Sequence, residues 1–247
     1  MHNRRAVGSG ADGAQTVVGG TAARLVETLP PGATVAFWRV GGRGVRIVLF
    51  VEGWTETALP AFLKRWLDPR LERPVGLRPV VRFDGVRDYL SGMARKAQLY
   101  LAEDDTLAVF GLLDLHGLPL DFPKNMDRDA RIAWARQQIE SKIAEPYRDR
   151  FRQHFAVYET EAWLLSNPAL FPAPVRKRLP GKPSEEINFN EPPSKLLDRL
   201  WQQTKKRSYK KTVQARNLFP RLDPELVYAQ CPYFGRMMDE MLQIARS

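Results

Sequence analysis

Five carboxylates are notable for where they fall in the chain: Glu52, Glu56, Asp114, Glu159 and Glu161. Glu52 closes one apolar run and Asp114 another, while Glu159 and Glu161 follow a third, two residues apart. Carboxylates at the ends of neighbouring strands converge in space although they are distant in sequence. Hard cations such as Mg²⁺ take oxygen ligands, commonly one or two carboxylates completed by water and substrate phosphate. Two such ions roughly 4 Å apart can clamp the attacking and leaving oxygens of a phosphodiester. Glu56, one helical turn after Glu52, could join the same set. Each acid taken singly reads equally well as a solvated loop residue or a helix cap. Three strand-end acids in one basic chain favour a site.

The elements that must hold these acids are legible from hydropathy. Val45 to Val51 is β-branched and almost continuously apolar, the pattern of a strand covered on both faces, and Glu52-Gly53 ends it. A helix follows, with Thr55 or Thr57 as N-cap, Pro60 in its first turn and an inward stripe of Leu59, Phe62, Leu63, Trp66 and Leu67. Leu77 to Phe83 reads as a second strand, Val86 to Leu101 as a helix, and Thr106 to Leu113 as a third strand ending at Asp114. Asp127 can cap a helix reaching about Glu145, with Ile132, Ile139 and Ile143 inward. His154 to Tyr158 reads as a fourth strand, and Glu159-Thr160-Glu161 leads into a helix through Leu165. Such alternation predicts an α/β fold with a mostly parallel, four-stranded central sheet flanked by helices. In these sheets ligands bind beyond the carboxyl ends of the strands. After Ser166 the chain is broken by prolines, and short helices are expected at about 193–206, 223–230 and 233–245. The expected organisation is a poorly ordered extension over 1–44 (Val35 to Val40 could make a strand), an α/β domain over 45–166 and a basic helical C-terminal appendage over 167–247, folded back on the sheet.

The chain has 247 residues, 44% of them hydrophobic, and a formal net charge of +10. Enough apolar residues exist for a real core, and the charge favours a polyanionic partner such as nucleic acid. General use of Arg on ordinary surfaces would give the same balance. The single cysteine, Cys231, excludes a disulfide framework and a cysteine-based zinc site within one chain, and it reads as a buried thiol. No apolar run reaches the ~18 residues a membrane span needs, and Arg4-Arg5 is followed by no hydrophobic region, so a cytoplasmic protein is expected. Basic residues concentrate between 195 and 216, at Lys195, Arg199, Lys205, Lys206, Arg207, Lys210, Lys211 and Arg216, interleaved with Trp201 and Tyr209 and followed by Phe219. That mixture suits phosphate contacts with occasional base stacking. It also suits a solvated helix face with Trp201 turned inward. Arg176-Lys177-Arg178 forms a second patch.

VEGWTE (51–56) followed by LLDLHGLPLDFP (112–123) resembles a Toprim domain, the fold of topoisomerases, primases and a class of nucleases. YETEAWLLSNP (158–168), PSEEINFNEPPSK (183–195) and YKKTVQARNLFPRLDPELVYAQCPYF (209–234) resemble more closely the Toprim-like domain-of-unknown-function 4276 family of bacterial phage-defence operons, which includes the second component of the abortive-infection L system. The resemblance covers roughly 45–245. It implies a metal-linked or acid/base role for Glu52, the first acid of the second motif for Asp114, and a Glu-x-Glu block for Glu159 and Glu161. Position 116 departs from the Toprim Asp-x-Asp pattern. His116 there could ligate a softer ion such as Mn²⁺, contact phosphate or pack as an aromatic surrogate. Asp121 could be a ligand, though a turn role before Pro123 suits it better. The implied activity is a Mg²⁺- or Mn²⁺-dependent nuclease acting on DNA or RNA in anti-phage defence, regulated by an AAA ATPase encoded nearby, with homo-oligomerisation left open. The alternative is a non-catalytic module that binds nucleic acid or the ATPase. Topoisomerase and primase activities are disfavoured by the short chain and the lack of zinc-ribbon cysteines.

Overall fold

The computed structural model describes residues 44–53, 58–186, 191–205, 208–210 and 217–247, without the side chain of Lys205. The expectations for 1–43, Glu56, Lys206, Arg207, Lys211 and Arg216 lie outside the described residues, and the helix expected to be capped by Thr55 or Thr57 instead starts after Ala58, with no side-chain cap. Residues 43–247 form one compact unit.

Four strands make one sheet: β1 (Arg46–Val51), β2 (Gly76–Arg82), β3 (Thr106–Asp114) and β4 (Phe151–Ala156). Their order is β2-β1-β3-β4 and every pairing is parallel. Helix α1 (Leu59–Leu67) joins β1 to β2, and α2 (Val86–Leu101) joins β2 to β3. Between β3 and β4 lie α3 (Arg128–Glu140) and the short α4 (Glu145–Arg148). The side chain of Asp127 accepts the Ala130 N–H at 2.8 Å and so starts α3 as the sequence predicts.

The two sheet faces bury separate cores. Ile47, Leu49 and Val51 of β1, with Ala108, Phe110 and Leu112 of β3, meet α1 on one face. Val48, Phe50 and Val109 meet α2 and α3 on the other. Leftward travel from β1 thus uses one face and rightward travel the opposite face, the arrangement that right-handed crossovers produce. The chain reverses its direction of travel between β1 and β3, and in such sheets ligands bind outside the carboxyl ends of the two strands at that point.

The remaining helices cover the α1 face: α5 (Glu161–Leu165), α6 (Ala173–Arg176), α7 (Pro193–Lys205), α8 (Pro224–Gln230) and α9 (Pro232–Arg246). Trp163 of α5 is their hub, 4.9 Å from the ring of Phe234 and 6.3 Å from that of Phe62. Burying each such aromatic stabilises the packing by roughly 2–3 kcal/mol relative to exposure. Cys231 is buried in this core as a free thiol, and its environment pushes the thiol pKa up. Among the described residues no helix is long and apolar enough to cross a membrane.

One strand differs from expectation. β4 begins at Phe151, not His154, and ends at Ala156. Its polar letters mask a buried stretch in which Gln153 is 1% exposed. The Gln153 side chain accepts the Tyr89 hydroxyl at 2.6 Å, and the Gln153 backbone N–H donates to Glu140 Oε1 at 2.8 Å, closing part of the sheet edge. Past Ala156 the pairing continues in loop form, with Leu115 N–H on Ala156 O and His116 N–H on Tyr158 O, each at 3.0 Å.

Candidate functional site

Glu52 and Asp114 leave the sheet on adjacent strands at the point where the strand order reverses. The last paired residues are Val51 and Leu112, and neighbouring strands run about 4.8 Å apart. Both side chains are half-buried. Asp114 Oδ1 accepts the backbone N–H of Thr160 at 3.1 Å, which ties the end of β3 to the loop after β4.

That loop brings in the other acids. Glu159 is 9% exposed. Its Oε2 accepts the Ser194 N–H at 2.9 Å and its Oε1 accepts the Ser194 hydroxyl at 3.0 Å. A carboxylate in that place satisfies donors at the start of α7 and opposes the positive end of the helix dipole. Glu161 opens α5 and is fully buried. His116 is exposed on a tight turn whose next residue, Gly117, has φ +79°, a left-handed conformation that glycine takes without penalty. Asp121 is exposed farther along the same loop. Among the described residues, no three His, Cys, Asp or Glu side chains gather closely enough to hold a metal ion between them.

The sequence reading overlooks a fourth strand-end acid. Asp84 follows β2 in Phe83-Asp84-Gly85, the same acid–glycine ending as Glu52-Gly53. Its backbone N–H donates to Asp88 Oδ2 at 3.0 Å, which shapes the start of α2. Ser194 is also overlooked, and nothing in the local pattern PPSK marks it as a partner for Glu159.

On the basic side, Lys195, Arg199 and Lys210 are exposed. Arg199 is held by Glu191 through two bonds of 2.8 and 2.7 Å, so its charge is largely matched. Arg178 donates to Gln203 of α7 at 3.3 Å, which sets the exposed 176–178 patch against that helix. The aromatics do not serve as stacking platforms. Tyr209 is 7% exposed and Phe219 fully buried, while Trp201 sits half-buried between Phe171 and Tyr209. They fill the core beneath α7, while Lys195, Arg199, Gln202 and Gln203 face outward.

A family model described as "Domain of unknown function (DUF4276)" matches residues 51–242. No curated protein matches the chain. Two solved structures of the C-terminal region of the Xanthomonas campestris pv. campestris OLD protein are similar to it. The iodine-phased one is 18% identical with a TM-score of 0.36, over 82% of this chain and 94% of that one. The mercury-phased one is 16% identical with a TM-score of 0.33, over 80% and 98%.

Proposed function

For this chain, which belongs to the DUF4276 family, we propose a metal-dependent phosphodiester hydrolase acting on DNA or RNA. The observation that carries the proposal is the pair Glu52 and Asp114, half-buried at the carboxyl ends of β1 and β3, where the sheet reverses its order. A crevice at that place is where parallel sheets bind ligands. The donors fit a hard cation. Both are carboxylates on adjacent strands, and Asp114 is oriented by the Thr160 N–H. Bound Mg²⁺ or Mn²⁺ would supply charge neutralisation on the phosphodiester and a more acidic water. Glu52 and Asp114 would hold the ion, and His116 adds an exposed imidazole at the same rim. Glu56, Glu159 and Glu161 are the further acids we assign to this edge. Lys195, Lys205, Lys206, Arg207, Lys210, Lys211 and Arg216 would contact phosphates without reading sequence. In this reading the protein serves anti-phage defence in the cytoplasm and is regulated by an AAA ATPase.

A second reading, a non-catalytic module that binds nucleic acid or the ATPase, is favoured by the structural work the acids already do. Glu159 spends both oxygens on Ser194, and Asp114 holds Thr160. The two readings separate by incubating the full chain, with and without the ATPase, with plasmid, single-stranded DNA and tRNA in Mg²⁺, Mn²⁺ or EDTA. Cleavage should appear with metal and vanish in EDTA, in Glu52→Ala and in Asp114→Asn. The asparagine keeps an oxygen for the Thr160 N–H, so its thermal melt should match wild type. No cleavage with the ATPase present, or full cleavage by Glu52→Ala, would exclude the hydrolase.

A further inference from the structure

Away from the acidic edge, α3 and α9 flank the outer side of β4 and leave between them a cavity of about 270 Å³. Helix α9 has two faces. Phe234, Met237, Met238 and Met241 are buried in the core. Arg236, Asp239, Glu240 and Gln243, at spacings of three, four and seven, line the cavity.

The charges of this wall can be followed one by one. Glu240 accepts two bonds from Arg136, at 2.9 and 3.0 Å, and lies 3.2 Å from His154 Nε2. Burial opposes its charge, but the hydrogen bonds from His154 and Arg136 win and hold its pKa at about 2. His154 lies flat on Phe110, 5.5 Å between ring centres, and burial lowers its pKa, so the imidazole is neutral and Nε2 donates to Glu240. Arg136 also donates to Glu140 at 2.9 Å. Asp239 accepts the Tyr228 hydroxyl at 2.9 Å. Both carboxylates of the wall are thus engaged, Glu240 by the Arg136 charge and Asp239 by a neutral hydroxyl that leaves its charge in place.

Arg236 is not. Its guanidinium lies 4.3 Å from the centre of the Tyr233 ring, the residue is exposed, and among the described residues it meets no carboxylate in an ion pair. The nearby carboxyl of Glu185 is kept protonated near neutrality, because burial raises its pKa to about 8. Arg236 is thus the guanidinium of this wall without a carboxylate partner among the described residues, and with its face on an aromatic ring its N–H fork is open to an anion.

We propose that this cavity binds a small oxyanion, a phosphate or carboxylate group taken bidentately by Arg236, with Tyr233 and Gln243 beside the rest of the ligand. The volume lies just below the roughly 300–1,000 Å³ of small-molecule pockets, so the ligand is compact and not a nucleic-acid strand. The site is separate from the strand-end acids and does not depend on the hydrolase reading.

The test is calorimetric titration of the full chain at low salt with inorganic phosphate, adenosine 5′-monophosphate and glutarate. Three ligands distinguish a bare phosphate, a larger phosphate ester and a carboxylate. At least one should bind saturably at one site. Arg236→Gln, at an exposed position, should weaken that binding at least tenfold, Arg236→Lys should recover part of it, and Arg95→Gln, at an exposed position of α2, should leave it unchanged. The proposal fails if none of the three binds saturably. It also fails if Arg236→Gln binds as wild type, or if Arg95→Gln is the variant that loses binding.

Discussion

Replacing Glu185 by glutamine should stabilise the protein at high pH and do nothing at low pH. Glu185 is 2% exposed. Its Oε2 accepts the Tyr233 N–H at the start of α9 at 3.0 Å, while Oε1 has no hydrogen-bond partner among the described residues. The groups facing it are Arg128, Arg236 and the Cys231 thiol. Both arginines favour its charge, but burial outweighs them and raises its pKa from an ordinary 4.5 to about 8. In the folded state the carboxyl keeps its proton over a range in which the unfolded chain has already lost it. Stability therefore falls as pH rises from about 4.5 to about 8 and then levels off. At about 1.4 kcal/mol per pH unit, the full difference amounts to ~5 kcal/mol. Glutamine has the same shape, keeps an oxygen for the Tyr233 N–H and cannot ionise. Urea unfolding of both proteins at intervals from pH 5 to 9 would give the difference directly and cancel every other titrating group. The gap should be small at pH 5 and grow to several kcal/mol in favour of Glu185→Gln by pH 8. A gap that does not change with pH would show that Glu185 ionises normally and that water reaches it.

Two further outcomes follow from buried polar contacts. In Gly111→Ala the new Cβ would lie 2.0 Å from the Tyr89 hydroxyl and 2.5 Å from Gln153 Oε1, so their hydrogen bond must break, at a cost of ~3 kcal/mol or more; in a Tyr89→Phe background the same change should cost less, and strictly additive urea midpoints would refute the contact. Glu240→Gln should remove stability that is present above about pH 4.5 and lost as pH falls toward 2, because His154 and Arg136 hold this carboxyl at about 2; the gap between variant and wild-type unfolding curves should narrow steadily below pH 4.5, and a gap that is constant down to pH 3 would refute it.

The strands that were easiest to read are those buried on both faces. β1 and β3 are nearly continuous apolar runs, and periodicity needs nothing more. The expected β4 starts three residues late because Arg152 and Gln153 are polar, and the partner that satisfies the buried Gln153 side chain is Tyr89, which is distant in sequence. The same limit hid Glu185. The run Ser-Glu-Glu reads as a solvated turn, and only the packing of α9 over it reveals a buried carboxyl. Helix α9 shows the converse, for its polar stripe has the pattern of an ordinary surface face and in fact lines a cavity. The acidic edge was legible because strand ends are local signals. Which acids are already engaged is a tertiary fact, and the Glu159–Ser194 contact spans 35 residues.

That contact changes how the basic helix and the acidic edge should be considered together. Helix α7 carries the exposed Lys195 one residue after Ser194, whose N–H and hydroxyl are both held by Glu159. Thr160, the next residue, is bonded to Asp114. A single relay of backbone and carboxylate thus runs from the end of β3 to the first turn of α7. Its one long side chain, Glu159, is held at both oxygens and 9% exposed, and Thr160 in the middle is 1% exposed. The position of the helix that bears the positive charge is therefore fixed by the same short segment that fixes Asp114. Charge on α7 cannot move far relative to the strand ends unless the Glu159 carboxylate lets go of the helix. Loss of that carboxylate would leave the Ser194 N–H without its acceptor at a helix start, where the first N–H groups have no partner within the helix.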